Sequence, residues 1–559
     1  MVTRYRPLIE ATKSSSFWTL GFFLCAGLLS FVRIHIPLQE PQESRYAEIP
    51  RQMLAEGSWL VPVLHGEPYM DKPPLLYWLV MGSYSLFGVH DWAARLVPCS
   101  ATFLTIVLTF FWGRRVLGPR GGFLAGAILA LSVRFIYLSR MVTMDSLLCL
   151  WVVATLAGAH LALPGNHFRW RFWLASAIAC GLGVLTKGPV SLALVVCPIF
   201  VFSFLIPKDR RPPIWAWLTY VGLALGVAMP WYLAVTASDP AFIEYFFWRH
   251  NVERFLTPFD HQEPFWFYAP EILGGMLPWT LILPGLIWSV VRRREPSIAA
   301  PPGAAFFLFS FLWCVFFFSL SGCKRPGYIL PAMPLFALAL TSYLDRSLPT
   351  GALIRGLLLH RSRLAFGAVL LTLAAAGCSC FYAAYQGLAP RRLGSVFGLT
   401  FCGALLLAGW RWRNVPAMSW LLCGAAAFAG VLIGTYVILP GYARHFSMRG
   451  QVRPLARVAK DGSLPVACYP RGWDSVNFYL QRRDVKVYGL NERGCLLADL
   501  AAAPRTLLYV RTERTLRDLL SELPDGLEYE PRGRQGTVRV GFVRQRGDRL
   551  VKQGEPAAP

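Results

Sequence analysis

The sequence predicts a mainly α, polytopic membrane helix bundle of about thirteen spans, followed by a small C-terminal α/β domain. Three observations carry this. Hydrophobic residues make up 55% of the chain against 15% charged, and mean hydropathy is +0.44, far from the soluble average. Apolar windows long enough to cross about 30 Å of hydrocarbon recur between Ser14 and Leu439. After Leu439 charges become frequent and short alternating segments take over.

Ser14–Val32 is free of charge and reads as the first span, since no small-residue cleavage site follows it. The others are Leu96–Gly113, Gly121–Ser139, Ser146–Leu163, Phe172–Thr186, Pro189–Ile206, Ile214–Thr236, Ile272–Val291, Phe306–Gly322, Gly327–Leu344, Leu364–Tyr385, Leu393–Trp410 and Val415–Leu439. Residues 1–440 thus form the membrane domain, with a first outward loop at 37–95; 441–546 form the outward α/β domain, and 547–559 a disordered tail.

Arginine and lysine clusters fall in alternate loops, from Arg4, Arg6 and Lys13 to Arg411 and Arg413, and mark the cytoplasmic side. Arg391 and Arg392 break the pattern. The N-terminus is then cytoplasmic and the C-terminal domain extracytoplasmic, at the inner membrane of the cell. Much of the +24 formal charge is topology rather than a nucleic-acid surface, although an anionic lipid substrate would also favour it. Of thirteen cysteines, only Cys468 and Cys495 lie in the outward tail, where a disulfide is permitted but not implied. In that tail Thr506–Val510, Val485–Tyr488 and Thr537–Val543 read as strands and Thr512–Leu523 as an amphipathic helix. No Walker loop, zincin pair or dinucleotide fingerprint is present, so neither a nucleotide nor an organic cofactor is expected.

Chemistry concentrates in four outward segments. The first is a polar, charge-rich loop with Glu40, Glu43, Arg45, Tyr46 and Glu48, closed by Asp71 and Lys72. The second holds Asp145 at a helix start, where a carboxylate either acts or merely complements the dipole. In the third, Glu244–Phe255, a helix would place His250 and Arg254 on one face; a plain interfacial helix explains its aromatics equally well. The fourth, Cys323–Pro331, sets Lys324, Arg325 and Tyr328 at the mouth of a span, against the positive-inside tendency. Lys72, Arg254, Lys324 or Arg325, and Tyr328 together suit a phosphate at the lipid–water boundary, because its oxygens accept charge-assisted hydrogen bonds that strengthen where water is scarce.

These segments resemble a known family. Glu40-Pro-Gln-Glu-Ser-Arg-Tyr-Ala-Glu-Ile-Pro, Asp71-Lys72-Pro-Pro, Phe87-Gly-Val-x-x-Trp-Ala-Ala-Arg95-Leu, Arg140-Met-Val-Thr-Met-Asp145, Leu185-Thr-Lys187-Gly-Pro-Val and Lys324-x-x-x-Tyr328-Ile-Leu-Pro are similar to the ArnT-type lipid A aminoarabinose transferases and related PMT-like GT-C glycosyltransferases. The resemblance implies a GT-C-like bundle that transfers a sugar from a polyprenyl-phosphate donor to an extracytoplasmic lipid, glycan or protein, with inversion. It implies donor-phosphate binding by Lys72, Arg254, Lys324 and Tyr328, substrate contacts by Arg45, Tyr46 and His250, and catalytic carboxylates among Asp145, Glu43 and Asp71. It also implies a divalent metal near Asp71 and His250.

One departure stands out. The family's first-loop Asp is Gln42 here, and an amide cannot serve as a base at neutral pH. Glu43 is adjacent but points elsewhere on a helix or strand, which favours Asp145, or an acceptor that is already an anion. Two other readings remain: a transporter or flippase of lipid-linked sugar, and a relative with impaired catalysis.

Overall fold

The computed structural model describes residues 6–163, 167–208, 211–257, 261–283, 287, 302–347, 377–378, 403, 416–459 and 463–546. The spans expected at Leu364–Tyr385 and Leu393–Trp410 lie outside the described residues in nearly all their length, and the tail 547–559 lies outside them altogether. Helices dominate. In chain order they begin with α1 (Arg6–Phe31) and α2 (Gln42–Glu56), then a short antiparallel hairpin of β1 (Val63–Leu64) and β2 (Glu67–Pro68). There follow α3 (Leu75–Phe87), α4 (Asp91–Ala130), α5 (Val133–Ser139), α6 (Met144–Ala162), α7 (Trp170–Lys187), α8 (Val190–Leu205) and α9 (Ile214–Ser238).

Among the described residues five helices are long and apolar enough to cross a bilayer, Asp91–Ala130, Met144–Ala162, Ile214–Ser238, Gly303–Leu320 and Cys423–His445, alongside shorter apolar ones such as Val190–Leu205. The expected pair Leu96–Gly113 and Gly121–Ser139 appears as α4 and α5. α4 is kinked where Gly118 takes φ 86° just before Pro119, a residue that lacks the amide donor an unbroken helix needs.

The chain divides into two compact units. A membrane unit comprises Met1–Ile34, Met70–Leu79 and Arg95–Ile438; a sheet unit comprises His35–Tyr69, Val80–Ala94 and Leu439–Pro559. In the membrane unit α7 packs against α6 and α9. Gly181 on α7 makes that approach possible, since a Cβ there would lie 2.7 Å from the Ala224 carbonyl oxygen. Trp173 donates its indole N–H to the Ala216 carbonyl at 2.6 Å, and Thr102 on α4 donates to the Ser139 carbonyl at 2.9 Å, so buried polar groups tie helices together.

The sheet unit contains five strands, β3 (Val466–Tyr469), β4 (Lys486–Val487), β5 (Arg505–Val510), β6 (Leu527–Gln535) and β7 (Val538–Gln545), in the order β4-β3-β5-β7-β6. β3 is parallel to β4 and β5, while β7 is antiparallel to β5 and β6. The helices Arg493–Ala502 and Glu513–Leu520 bury Leu496, Leu500, Leu516 and Leu519 against Leu508 and Val510. Thr512 caps the second helix by accepting from the Thr515 amide at 3.1 Å. Cys468 and Cys495 are both free thiols, so the permitted disulfide is not formed.

The polar segment Glu40–Leu54 is not a loop. It forms α2, closed by Gly57 in the left-handed conformation, and nine of its residues are buried, among them Glu43, Glu48 and Arg51. Burial is tolerated because the charges are satisfied: Arg51 reaches Glu48 through Nε at 2.6 Å, Gln52 donates to the same carboxylate at 2.6 Å, and Arg51 also donates to the Arg482 carbonyl at 2.9 Å. The helix Asp474–Leu480, buried throughout, packs on α2.

Candidate active site

Asp71 and Lys72 sit in a short link whose Pro73 and Pro74 restrict the backbone just before α3. Lys72 Nζ donates to the Asp71 carbonyl at 3.1 Å and to His250 Nε2 at 2.6 Å. Nε2 is therefore the accepting nitrogen of that ring. The Asp71 carboxylate accepts from Tyr245 at 2.5 Å.

Tyr245 and His250 belong to a π-helix, Glu244–Glu253, rather than to the α-helix expected from the spacing of His250 and Arg254. Widening the turn brings residues five apart onto one face, and the two rings are close to parallel with centroids 6.2 Å apart. Arg254, just beyond, places a guanidinium nitrogen 3.3 Å from His250 Nε2.

Asp145 stands in the first turn of α6, but it does more than complement the dipole: Oδ1 accepts from Lys187 Nζ at 2.5 Å. Lys187, at the end of α7, also lies 4.0 Å from the centroid of the Tyr328 ring. Tyr328 rides on a single 3₁₀ turn, Pro326–Ile329, in which Gly327 is pressed so close to Asp145 that a Cβ would lie 2.5 Å from Oδ2.

Five of these side chains line a cavity of about 500 Å³. Lys72, Lys187, His250, Arg254 and Tyr328 contribute its polar side, and Val190, Phe247, Phe255, Phe317 and Phe318 are among its apolar walls. Positive charge is in excess. Burial, and then the neighbouring Lys187, Arg254 and Arg325, push Lys72 down to about 7, against the opposing pull of Asp71. An anion entering the cavity relieves that repulsion.

Lys324 is placed differently. Its ammonium is buried and donates to the backbone carbonyls of Glu263 at 2.9 Å and Ser321 at 2.5 Å, which ties two loops together. Glu43, Arg45 and Tyr46 lie on α2 in the sheet unit: Glu43 accepts from the Gln39 amide at 3.0 Å, Arg45 pairs with Asp474 at 3.1 Å, and Tyr46 is half-buried. Gln42 opens the same helix. The divalent metal implied for Asp71 and His250 does not fit this donor set. The His250 nitrogen faces two cations, the Asp71 carboxylate holds Tyr245, and among the described residues no group of three or more His, Cys, Asp or Glu side chains converges.

Sequence reasoning left Lys187, Tyr245 and Gly327 out of the site. Lys187 carried a signal of its own, as a lone cation ending an apolar helix.

Residues 38–246 match the family model described as dolichyl-phosphate-mannose-protein mannosyltransferase. A 317-residue stretch is 33% identical to the undecaprenyl phosphate-alpha-4-amino-4-deoxy-L-arabinose arabinosyl transferase of Edwardsiella ictaluri, covering 55% of this chain and 56% of that protein. The protein of the same name from Aeromonas salmonicida is 35% identical over 59% of this chain and 60% of its own length. In three dimensions the chain superposes on ArnT from Cupriavidus metallidurans, solved bound to undecaprenyl phosphate, with a TM-score of 0.74 at 21% identity, covering 94% of this chain and 98% of that one. The chain is similar in sequence to these arabinosyl transferases and shares the fold of ArnT. The sequence match spans just over half the length of the curated relatives, while the shared fold extends over 94% of this chain.

Proposed function

We propose that the protein is an integral-membrane glycosyltransferase of the inner membrane, with its N-terminus cytoplasmic and its sheet unit extracytoplasmic, that moves a sugar from a polyprenyl-phosphate donor to an extracytoplasmic lipid, glycan or protein. The cavity of the membrane unit supports this reading: a polyprenyl phosphate pairs an anionic head with a hydrocarbon tail, and the cavity pairs Lys72, Lys187, Arg254 and Tyr328 with aromatic and aliphatic walls. The names of the curated relatives point to the same donor class.

In this reading Lys72, Arg254 and Tyr328 hold the donor phosphate, and Lys187 joins them. As the anomeric C–O bond to the phosphate breaks, the charge growing on the leaving oxygen is met by these fixed donors, which lowers the barrier. The acceptor oxygen attacks the opposite face, so the anomeric configuration inverts. In the same reading Asp145 or Asp71 orients or deprotonates the acceptor; Asp145 accepts from Lys187 and Asp71 from Tyr245.

Purified protein, given polyprenyl-phosphate sugar and envelope glycolipid, is expected to release polyprenyl phosphate and glycosylated acceptor. Lys72→Ala is expected to lose most of this, and undiminished transfer by that variant would sink the proposal. Movement of the donor across proteoliposomes with no new glycosidic bond would identify a flippase instead.

A further inference from the structure

The sheet unit holds a second arrangement of charge that the transfer reaction leaves unused. β3 lies between β4 and β5 and is parallel to both. From β3 the chain leaves through the helix Asp474–Leu480 toward β4 on one side, and from β5 through the helix Glu513–Leu520 toward β6 and β7 on the other. The carboxyl ends of β3 and β5 are thus neighbours whose connections part in opposite directions, and open α/β sheets take their ligands in the crevice such a parting creates.

Both loops leaving that point carry an arginine near their start. β3 ends at Tyr469, followed by Pro470 and Arg471; β5 ends at Val510 and Arg511 follows. The Arg511 amide donates to the Tyr469 carbonyl at 3.0 Å, which holds the loops side by side. Both arginines are exposed, and among the described residues neither pairs with a carboxylate. Arg471 instead lies over the Trp473 ring, 5.6 Å from its centroid.

The carboxylates nearby are already committed. Glu40 accepts from the Ser475 amide at 2.7 Å, and burial together with Asp474 pushes it up to about 7. Asp474 is held by Arg45 at 3.1 Å and His65 at 2.8 Å. Partial burial and Arg511 together draw Arg471 below the usual arginine range. Two guanidinium groups that repel each other carry planar donor forks of the kind that suits the oxygens of a phosphate dianion.

We propose that Arg471 and Arg511 form a binding site for a phosphate monoester, the group carried by phosphorylated sugars and by phosphorylated lipid headgroups. The site is independent of the donor cavity and of the transfer reaction. Full-length protein in nanodiscs, titrated with inorganic phosphate, glucose 1-phosphate and dihexanoyl phosphatidic acid, tests it. Wild type is expected to bind at least one monoester more tightly than inorganic phosphate, and the joint variant Arg471→Ala, Arg511→Ala to weaken that binding by about tenfold or more. Joint replacement by lysine restores part of it, and polyprenyl phosphate binding stays at the wild-type level in both variants. Tighter binding of glucose 1-phosphate assigns the site to a sugar phosphate, and tighter binding of phosphatidic acid to a lipid headgroup. The proposal falls if wild type binds none of the probes, or if wild type and the alanine variant bind them equally.

Discussion

Lys187 Nζ lies 2.5 Å from Asp145 Oδ1 and 4.0 Å from the centre of the Tyr328 ring, so one ammonium joins the end of α7, the start of α6 and the 3₁₀ turn at Pro326. Both side chains of the pair are largely withdrawn from solvent. Removing one charge strands the other. Lys187→Met and Asp145→Asn are each expected to lower stability, by about 3–5 kcal/mol if the stranded charge stays dry. Combining them recovers part of the loss, with a coupling of about 1–3 kcal/mol. Thermal unfolding of the four proteins in detergent measures this, and strictly additive losses would show that the two residues do not act together.

Lys72 gives the donor site a pH dependence of defined sign. In the empty cavity its ammonium is held down to about 7, and a bound phosphate raises it by supplying the missing negative charge. Below pH 7 Lys72 is protonated in the free and bound forms alike and adds no pH dependence of its own. Above pH 7 binding must take up a proton, so affinity falls by up to about tenfold per pH unit until the bound-state value is reached. Polyprenyl phosphate titrations from pH 6 to pH 9 read this slope. Lys72→Met is expected to flatten it and to weaken binding by about 2–4 kcal/mol, roughly 30- to 1,000-fold.

Gly327 has no room for a side chain on the Asp145 side. A Cβ at 2.5 Å from Oδ2 must displace either the carboxylate or the turn that carries Tyr328. Gly327→Ala is therefore expected to cut transfer by about tenfold or more while the protein stays folded, since small misplacements of reacting groups cost rate steeply. Transfer at the wild-type rate would mean that the Asp145–Tyr328 spacing is not critical.

In the sheet unit the pH preference runs toward mild acid. Glu40 is raised from 4.5 to about 7 in the fold, so between those values the folded state holds a proton that the unfolded chain has released, and stability falls as pH rises. His65, raised by its hydrogen bond to Asp474, also contributes stability that is lost as pH climbs through its folded value. Glu40→Gln keeps an acceptor for the Ser475 amide and carries no charge. It is expected to raise the melting temperature at pH 8 and leave it nearly unchanged at pH 4, and an equal shift at both would refute the assignment.

Local patterns were legible in the sequence, and distant pairings were not. β5 and β7 and the helix after Thr512 emerge close to where alternation and amphipathic spacing put them, because those signals arise from neighbouring residues. Asp71 and Lys72 were singled out from one segment and His250 and Arg254 from another, and the structure brings them together. α2 defeated the same reasoning: its charges read as a solvated loop, while in the structure Glu48 is held by Arg51 and Gln52 within the helix and partners more than four hundred residues away, Asp474 and the Arg482 carbonyl, take up Arg45 and Arg51. Lys324 read as a phosphate ligand because a sequence does not show which carbonyls will surround an ammonium.

The discontinuity of the sheet unit has a consequence for biogenesis. α2 leaves the ribosome early, yet the helix Asp474–Leu480 that packs on it comes only after Leu439, more than three hundred residues beyond Ala94. Throughout that interval a helix with an ionic interior waits without its cover, while most of the membrane unit is still being made. Its assembly is a late, long-range closure of the kind that is slow and exposed to error. A chain cut after Ile438 would keep every residue of the donor cavity and still leave α2 without the partners that neutralise it.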